Sequence, residues 1–181
     1  MKKFLLSLLA VFILSGCSNL NIGNTPSKKV EDYLNKYQTL DKDVFDDLET
    51  TLNLDTTISN DDKSSYREFM KKHYQDMTYE IKNETIDGDN ATVEVAVTVR
   101  DYSKIVAEAE AFQKANEGFE NKNKDDEKAS FSSYRLEKLK KATDMVTYTL
   151  YFNLNKEDDE WVLQQPSNSD LNKINGLYSD S

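Results

Sequence analysis

The chain has 181 residues, with 33 Asp and Glu set against 23 Lys and Arg, a formal charge of −10. So acidic a surface repels nucleic acid and anionic lipid headgroups, which removes nucleic acid as an expected partner and any basic patch as a membrane anchor. One Cys and one His leave no material for a disulfide framework or for the repeated Cys/His spacings of zinc sites, so no metal or other cofactor is expected.

Two cations, Lys2 and Lys3, precede an apolar run from Phe4 to Leu14. That run is shorter than the ~20 apolar residues a membrane-spanning helix needs. A basic start, a short apolar centre and small residues behind it describe a secretory signal peptide over residues 1–16. The run ends Leu14-Ser15-Gly16-Cys17, which resembles the lipobox of bacterial lipoproteins. The resemblance implies a diacylglyceryl group on the Cys17 thiol, cleavage just before Cys17, and a chain held on the outer face of the cell membrane. Two acyl chains suffice for that, supplying on the order of 20 kcal/mol at ~0.8 kcal/mol per buried CH₂. Loss of Lys2 and Lys3 takes the formal charge from −10 to −12.

Residues 17–24 read as the lipidated Cys and a flexible Asn/Ser/Gly tether, and residues 25–181 as one domain. Thr25-Pro26 supplies an N-cap and a first-turn proline. Val30, Tyr33, Leu34 and Tyr37 then make one apolar helical stripe. A second helix starts near Asp41 and buries Val44, Phe45, Leu48 and Leu52. Ser59 or Asn60 opens a third, with Tyr66, Phe69, Met70, His73 and Tyr74 on one face. The period changes to two at Met77, giving a strand to Asp87, a turn at Asp87-Gly88-Asp89-Asn90 and a strand from Ala91 to Tyr102. In the latter Ala91, Val93, Val95, Val97 and Val99 share one face.

Ser103 to about Asn116 returns to helix through Ile105, Val106, Ala109 and Phe112. Glu117 to Ala129 reads as an exposed charged loop, and a helix follows from about Phe131 to Met145. Val146 to Asn155 is a third strand, with Tyr148, Leu150, Phe152 and Leu154 on one side. Trp161-Val162-Leu163 is the fourth, after a charged turn, and Asp170 to Tyr178 makes a short helix. Segregated hairpins and helices give an α+β fold, a curved antiparallel sheet of about four strands packed against several helices.

Tyr79-Glu80-Ile81-Lys82, Asp87-Gly88-Asp89 and Ala91-Thr92-Val93 form half of a pattern; Thr147-Tyr148-Thr149-Leu150 and Trp161-Val162-Leu163 form the rest. With Pro26 to Tyr37 they resemble small uncharacterised lipoproteins of Gram-positive bacteria. The resemblance implies a nuclear-transport-factor-like or cystatin-like domain, an architecture that hosts enzymes, binding domains and inert scaffolds alike, so it assigns no activity and function is read from a site. Two helices and a charged loop between the hairpins depart from that pattern.

His73, the sole histidine, sits on an apolar stripe beside Phe69 and Tyr74, which favours a structural role over a general base. Asp87-Gly88-Asp89-Asn90 lacks the sixth-position Gly and twelfth-position Glu of a calcium loop. Asp125-Asp126-Glu127 and Asp158-Asp159-Glu160 read as solvated loops, and no catalytic set emerges. Tyr79, Tyr148, Phe152 and Trp161 are candidates to line a pocket on the concave sheet face, although strand aromatics more commonly fill a core.

These features point to a non-enzymatic binding or interaction module, tethered by Cys17 and meeting an envelope protein, a peptide or a small ligand. The alternatives are a weakly catalytic domain using that cavity, and a structural component that self-associates through Thr92, Thr98, Thr147, Thr149 and Tyr151. Cys17→Ala should abolish acyl labelling and either release the chain from the membrane or leave it unprocessed, as read by fractionation.

Overall fold

β2 (Asn90–Arg100) places Ala91, Val93, Val95, Val97 and Val99 on one face, none more than 4% exposed. β-branched residues at alternate positions suit a pleated, half-buried surface, and burying each one contributes about 1.5–3 kcal/mol. The computed structural model describes residues 24–115 and 124–179, so residues 1–16 and Cys17 lie outside the described part. β2 is flanked by β1 (Thr78–Asp87) and β3 (Met145–Glu157), and β3 pairs with the short β4 (Glu160–Leu163). The order is β1-β2-β3-β4, antiparallel throughout, in an open curved sheet. Register sets Val93, Val95 and Val97 opposite Phe152, Leu150 and Tyr148.

Both hairpins close through two residues. Asp87 pairs with Asn90 across Gly88-Asp89, with Gly88 at φ 60°. Glu157 pairs with Glu160 across Asp158-Asp159, at φ 48° and 66°. Positive φ at both central residues is what a type I′ turn requires, and Asp tolerates it through its short polar side chain.

α1 (Pro26–Thr39) lies across the inner face of the sheet. Thr25 caps it by accepting from the Lys28 N–H, with Pro26 in the first turn, as the sequence predicts. Val30 and Leu34 are fully buried against the β2 valines. Asn24, placed in the tether by sequence, bonds the β3–β4 hairpin: its Nδ2 donates to the Asp159 carbonyl at 2.8 Å and its Oδ1 accepts from Trp161 N–H at 3.2 Å.

A second core lies beyond α1. α2 (Lys42–Leu54), α3 (Lys63–Asp76) and α5 (Lys124–Lys140) pack Val44, Leu48, Leu52, Tyr66, Tyr74, Leu136 and Leu139 together, with Tyr102 at the head of α4 (Ser103–Ala115). Tyr37 touches both cores.

Three helices have boundaries that differ from expectation. α3 starts at Lys63 because Ser59 instead heads a turn, its hydroxyl accepting from the Asp62 N–H and donating to the Asp62 carboxylate. α5 begins at Lys124, inside the stretch read as loop, and ends at Lys140, short of Met145. Lys, Glu and Ala are good helix formers whatever their solubility, and Met145 is drawn into β3 opposite Arg100. α6 (Asn168–Ile174) starts earlier, capped by Ser167, and stops at Gly176, φ 69°.

The C-terminal segment closes the domain. Ile174 enters the first core at 0% exposure, and Tyr102 N–H donates to the Gly176 carbonyl at 2.8 Å. A Cβ on Gly176 would meet the Arg100 carbonyl oxygen at 2.0 Å, whereas one on Gly88 would meet nothing within 4 Å. Gly176→Ala should therefore cost about 3 kcal/mol or more, through clash and positive φ together. Gly88→Ala should cost only about 1–2 kcal/mol, from φ alone. Urea denaturation of the two variants checks the ranking.

Candidate functional site

Where the two cores meet, side chains do not fill the space. A cavity of about 800 Å³ runs between α1, α2 and α3 on one side and the segment from Leu163 to Leu177 on the other, with Arg135 of α5 also on its wall. Its walls include Tyr33, Tyr37, Tyr66, Phe69, Tyr74 and Tyr102, with Val44, Leu48 and Leu52 between them. The volume is in the range of small-ligand sites.

The tyrosines stand together because each occupies a helix stripe that meets another. Tyr33 and Tyr37, one turn apart, approach edge to face at 5.6 Å, and their hydroxyls share a hydrogen bond of 3.0 Å. Tyr74 of α3 meets Tyr37 at 5.2 Å, also edge to face. Burial pushes all three phenols above their ordinary pKa, and the nearby Asp47 carboxylate pushes the same way. Burial likewise pushes Tyr102 up to about 12. These phenols stay neutral donors and acceptors at physiological pH.

The charged lining groups are mostly spent on one another. Lys36 pairs with Asp43 at 3.1 Å, and Arg135 with Asp55 at 3.5 Å. Arg135 also donates to the Tyr66 hydroxyl at 2.8 Å, stacks its guanidinium over that ring, and so locks the wall beside Ser132. Burial would raise the Asp55 pKa, but hydrogen bonds from Thr57 and the Arg135 charge outweigh it and hold the carboxyl low. Asp47 has neither ion pair nor hydrogen bond among the described residues, and Oδ1 of Asn175 is a buried acceptor without a partner there.

A smaller cavity, about 490 Å³, lies between α3 and the α5 end, lined by His73, Asp76, Arg100 and Tyr102. His73 is 2% exposed; its Nε2 bonds the Ile174 carbonyl at 2.9 Å and Nδ1 has no partner among the described residues. The carbonyl can only accept, so Nε2 carries the proton and Nδ1 is bare. Asp76 and Arg100 pair at 3.5 Å.

None of the four sheet aromatics singled out by sequence lines the larger cavity. Phe152 and Trp161 are buried in the first core, Phe152 against the Tyr33 ring at 5.8 Å. Tyr79 donates to Asn35 Oδ1 at 2.9 Å, and Tyr148 meets the Tyr178 ring at 5.7 Å. In sequence the lining tyrosines Tyr33, Tyr37, Tyr66 and Tyr74 stand out only as members of helix stripes. A signal for them exists in the stripes themselves, which carry Tyr at positions where Leu packs more simply. Asp125, Asp126 and Glu127 sit in the start of α5 rather than in a loop, and Asp158 and Asp159 form the hairpin turn. No group of His, Cys, Asp and Glu that could hold a metal ion occurs among the described residues.

No protein-family model and no curated protein matches the chain. Among solved structures it matches the crystal structure of a candidate lipoprotein (ycdA) from Bacillus subtilis, 16% identical, with a TM-score of 0.44. The match covers 87% of this chain and 48% of that one, so the chain spans about half the neighbour's length.

Burial pushes the His73 imidazole below its ordinary pKa, against smaller upward pulls from the Ile174 carbonyl and Asp76. The folded form therefore keeps the ring neutral, while the unfolded chain takes up its proton near pH 6.5. Stability is fully present above that pH and falls as pH drops through it toward the lower folded value. Denaturation midpoints should decline between about pH 7 and pH 5, and His73→Gln should flatten that slope whatever it does to absolute stability.

Proposed function

We propose that this chain is a lipoprotein anchored through Cys17 on the extracytoplasmic face of the cell membrane, and that its domain is a non-enzymatic module binding a small, largely apolar ligand. The anchor is supported by the Leu14-Ser15-Gly16-Cys17 box behind a short apolar run. No described helix is long and apolar enough to cross a membrane. The binding role rests on the cavity of about 800 Å³ at the seam of the two cores. It is aromatic-walled and has a few polar groups that would fix orientation, which is the usual make-up of a ligand site. The nuclear-transport-factor-like or cystatin-like reading belongs to the same proposal, supported by α1 lying across a four-stranded antiparallel meander.

The test uses the unlipidated chain from residue 17, carrying Cys17→Ala, and the neutral fluorescent probe N-phenyl-1-naphthylamine. Binding should be saturable, and Thr51→Trp should weaken it about tenfold by filling the space. Thr51 lines the cavity from an exposed position on α2, so its replacement should leave the melting temperature nearly unchanged. Absence of saturable binding, or an unaffected Thr51→Trp variant, would remove this reading.

A further inference from the structure

The ligand reading can be sharpened by the charge inside the cavity, an inference that rests on the proposed binding role. Of the charged groups on its wall, both cations are already paired, Lys36 with Asp43 and Arg135 with Asp55. That leaves Asp47 as the uncompensated charge on the wall, with no ion pair or hydrogen bond among the described residues. Its carboxylate lies near enough to Tyr33, Tyr37 and Tyr74 to oppose the ionisation of each. Tyr33, Tyr37 and Tyr74 meet edge to face and line the same space as the Asp47 carboxylate, so aromatic π-systems and a negative charge border it together. Such an arrangement attracts a cation and disfavours an anion. The unsatisfied Asn175 Oδ1 on the same cavity wall is an acceptor as well. A ligand bearing N–H groups would supply donors to these two acceptors.

We propose that the cavity takes a protonated alkylamine, its ammonium group set against Asp47 and the Tyr33–Tyr37–Tyr74 cluster and its apolar chain along Val44, Leu48 and Leu52. The formal charge of the whole chain, −10, attracts such a ligand from a distance as well.

Isothermal titration calorimetry at neutral pH on the unlipidated chain from residue 17 separates this from simple apolar binding. The probes are octylamine, octanol and octanoate, which share one chain and differ in charge. Octylamine should bind about tenfold tighter than octanol, with octanoate weakest. Asp47→Asn, an exposed change on α2, should bring octylamine down to the octanol value and leave octanol itself unchanged. Octanol binding as tightly as octylamine in the parent chain would overturn the cation assignment while leaving the binding module standing. If none of the three bound, the binding module itself would fall. Equal weakening of octylamine and octanol by Asp47→Asn would also count against a counter-charge role.

Discussion

The burial of one face of β2 is the constraint from which the other layers follow. Val93, Val95, Val97 and Val99 are essentially inaccessible to solvent, and the sheet's opposite face carries Thr, Glu and Asn that tolerate water. A sheet with one apolar face needs a covering layer, and α1 provides it through Val30 and Leu34. A single helix is too narrow to cover four strands, so Ile174 from α6 and Trp161 from β4 complete the seal. At the edge of this layer Tyr33 packs against Phe152 of the sheet, and Tyr37 touches both the sheet core and the second helical layer.

That second layer has its own apolar stripes, and the two cores join through tyrosines rather than through aliphatic side chains. Aromatic rings are large and rigid and meet edge to face, so they bridge elements without filling every gap between them. The hydroxyl of Tyr33 finds its partner in that of Tyr37, which satisfies polar atoms that a seam of leucines would lack. The result is a lined space with an apolar body and a sparse, acidic polar complement. Desolvation keeps the phenols neutral, so what charge the space contains resides on carboxylates and on cations already held by them.

How much of this could be read in advance depends on whether the information was local. The alternation of β2, the Thr25-Pro26 start of α1 and the Gly88 turn are each written within a few neighbouring residues, and each appears where expected. The start of α5 at Lys124 was hidden because its residues are both soluble and helix-forming, and composition alone favours the first property. Ser59 is a plausible helix cap in isolation, yet its hydroxyl is used by the turn before α3. The cavity was harder still. Periodicity marks Tyr33, Tyr37, Tyr66 and Tyr74 as inward-facing, but it cannot say which of two cores receives them, nor how far apart the elements stand. The strand aromatics Phe152 and Trp161, which alternation also turns inward, are packed into the first core. The space lies between helices whose separation is set by contacts distant in sequence.

The closure at Gly176 bears on the order in which the molecule is made. Its carbonyl holds the Tyr102 amide, its α-carbon presses on Arg100, and its neighbour Ile174 fills the first core and bonds His73. Elements from the middle of the chain are thus completed by its last few turns. A polypeptide synthesised N-terminus first can make these contacts only once the segment up to Gly176 is available. Until then the β2 valines and the second-layer tyrosines wait partly uncovered, because contacts so distant in sequence form late. The seven-residue α6 works as a bolt: through Ile174 and the turn at Gly176 it ties the middle of the chain to both cores.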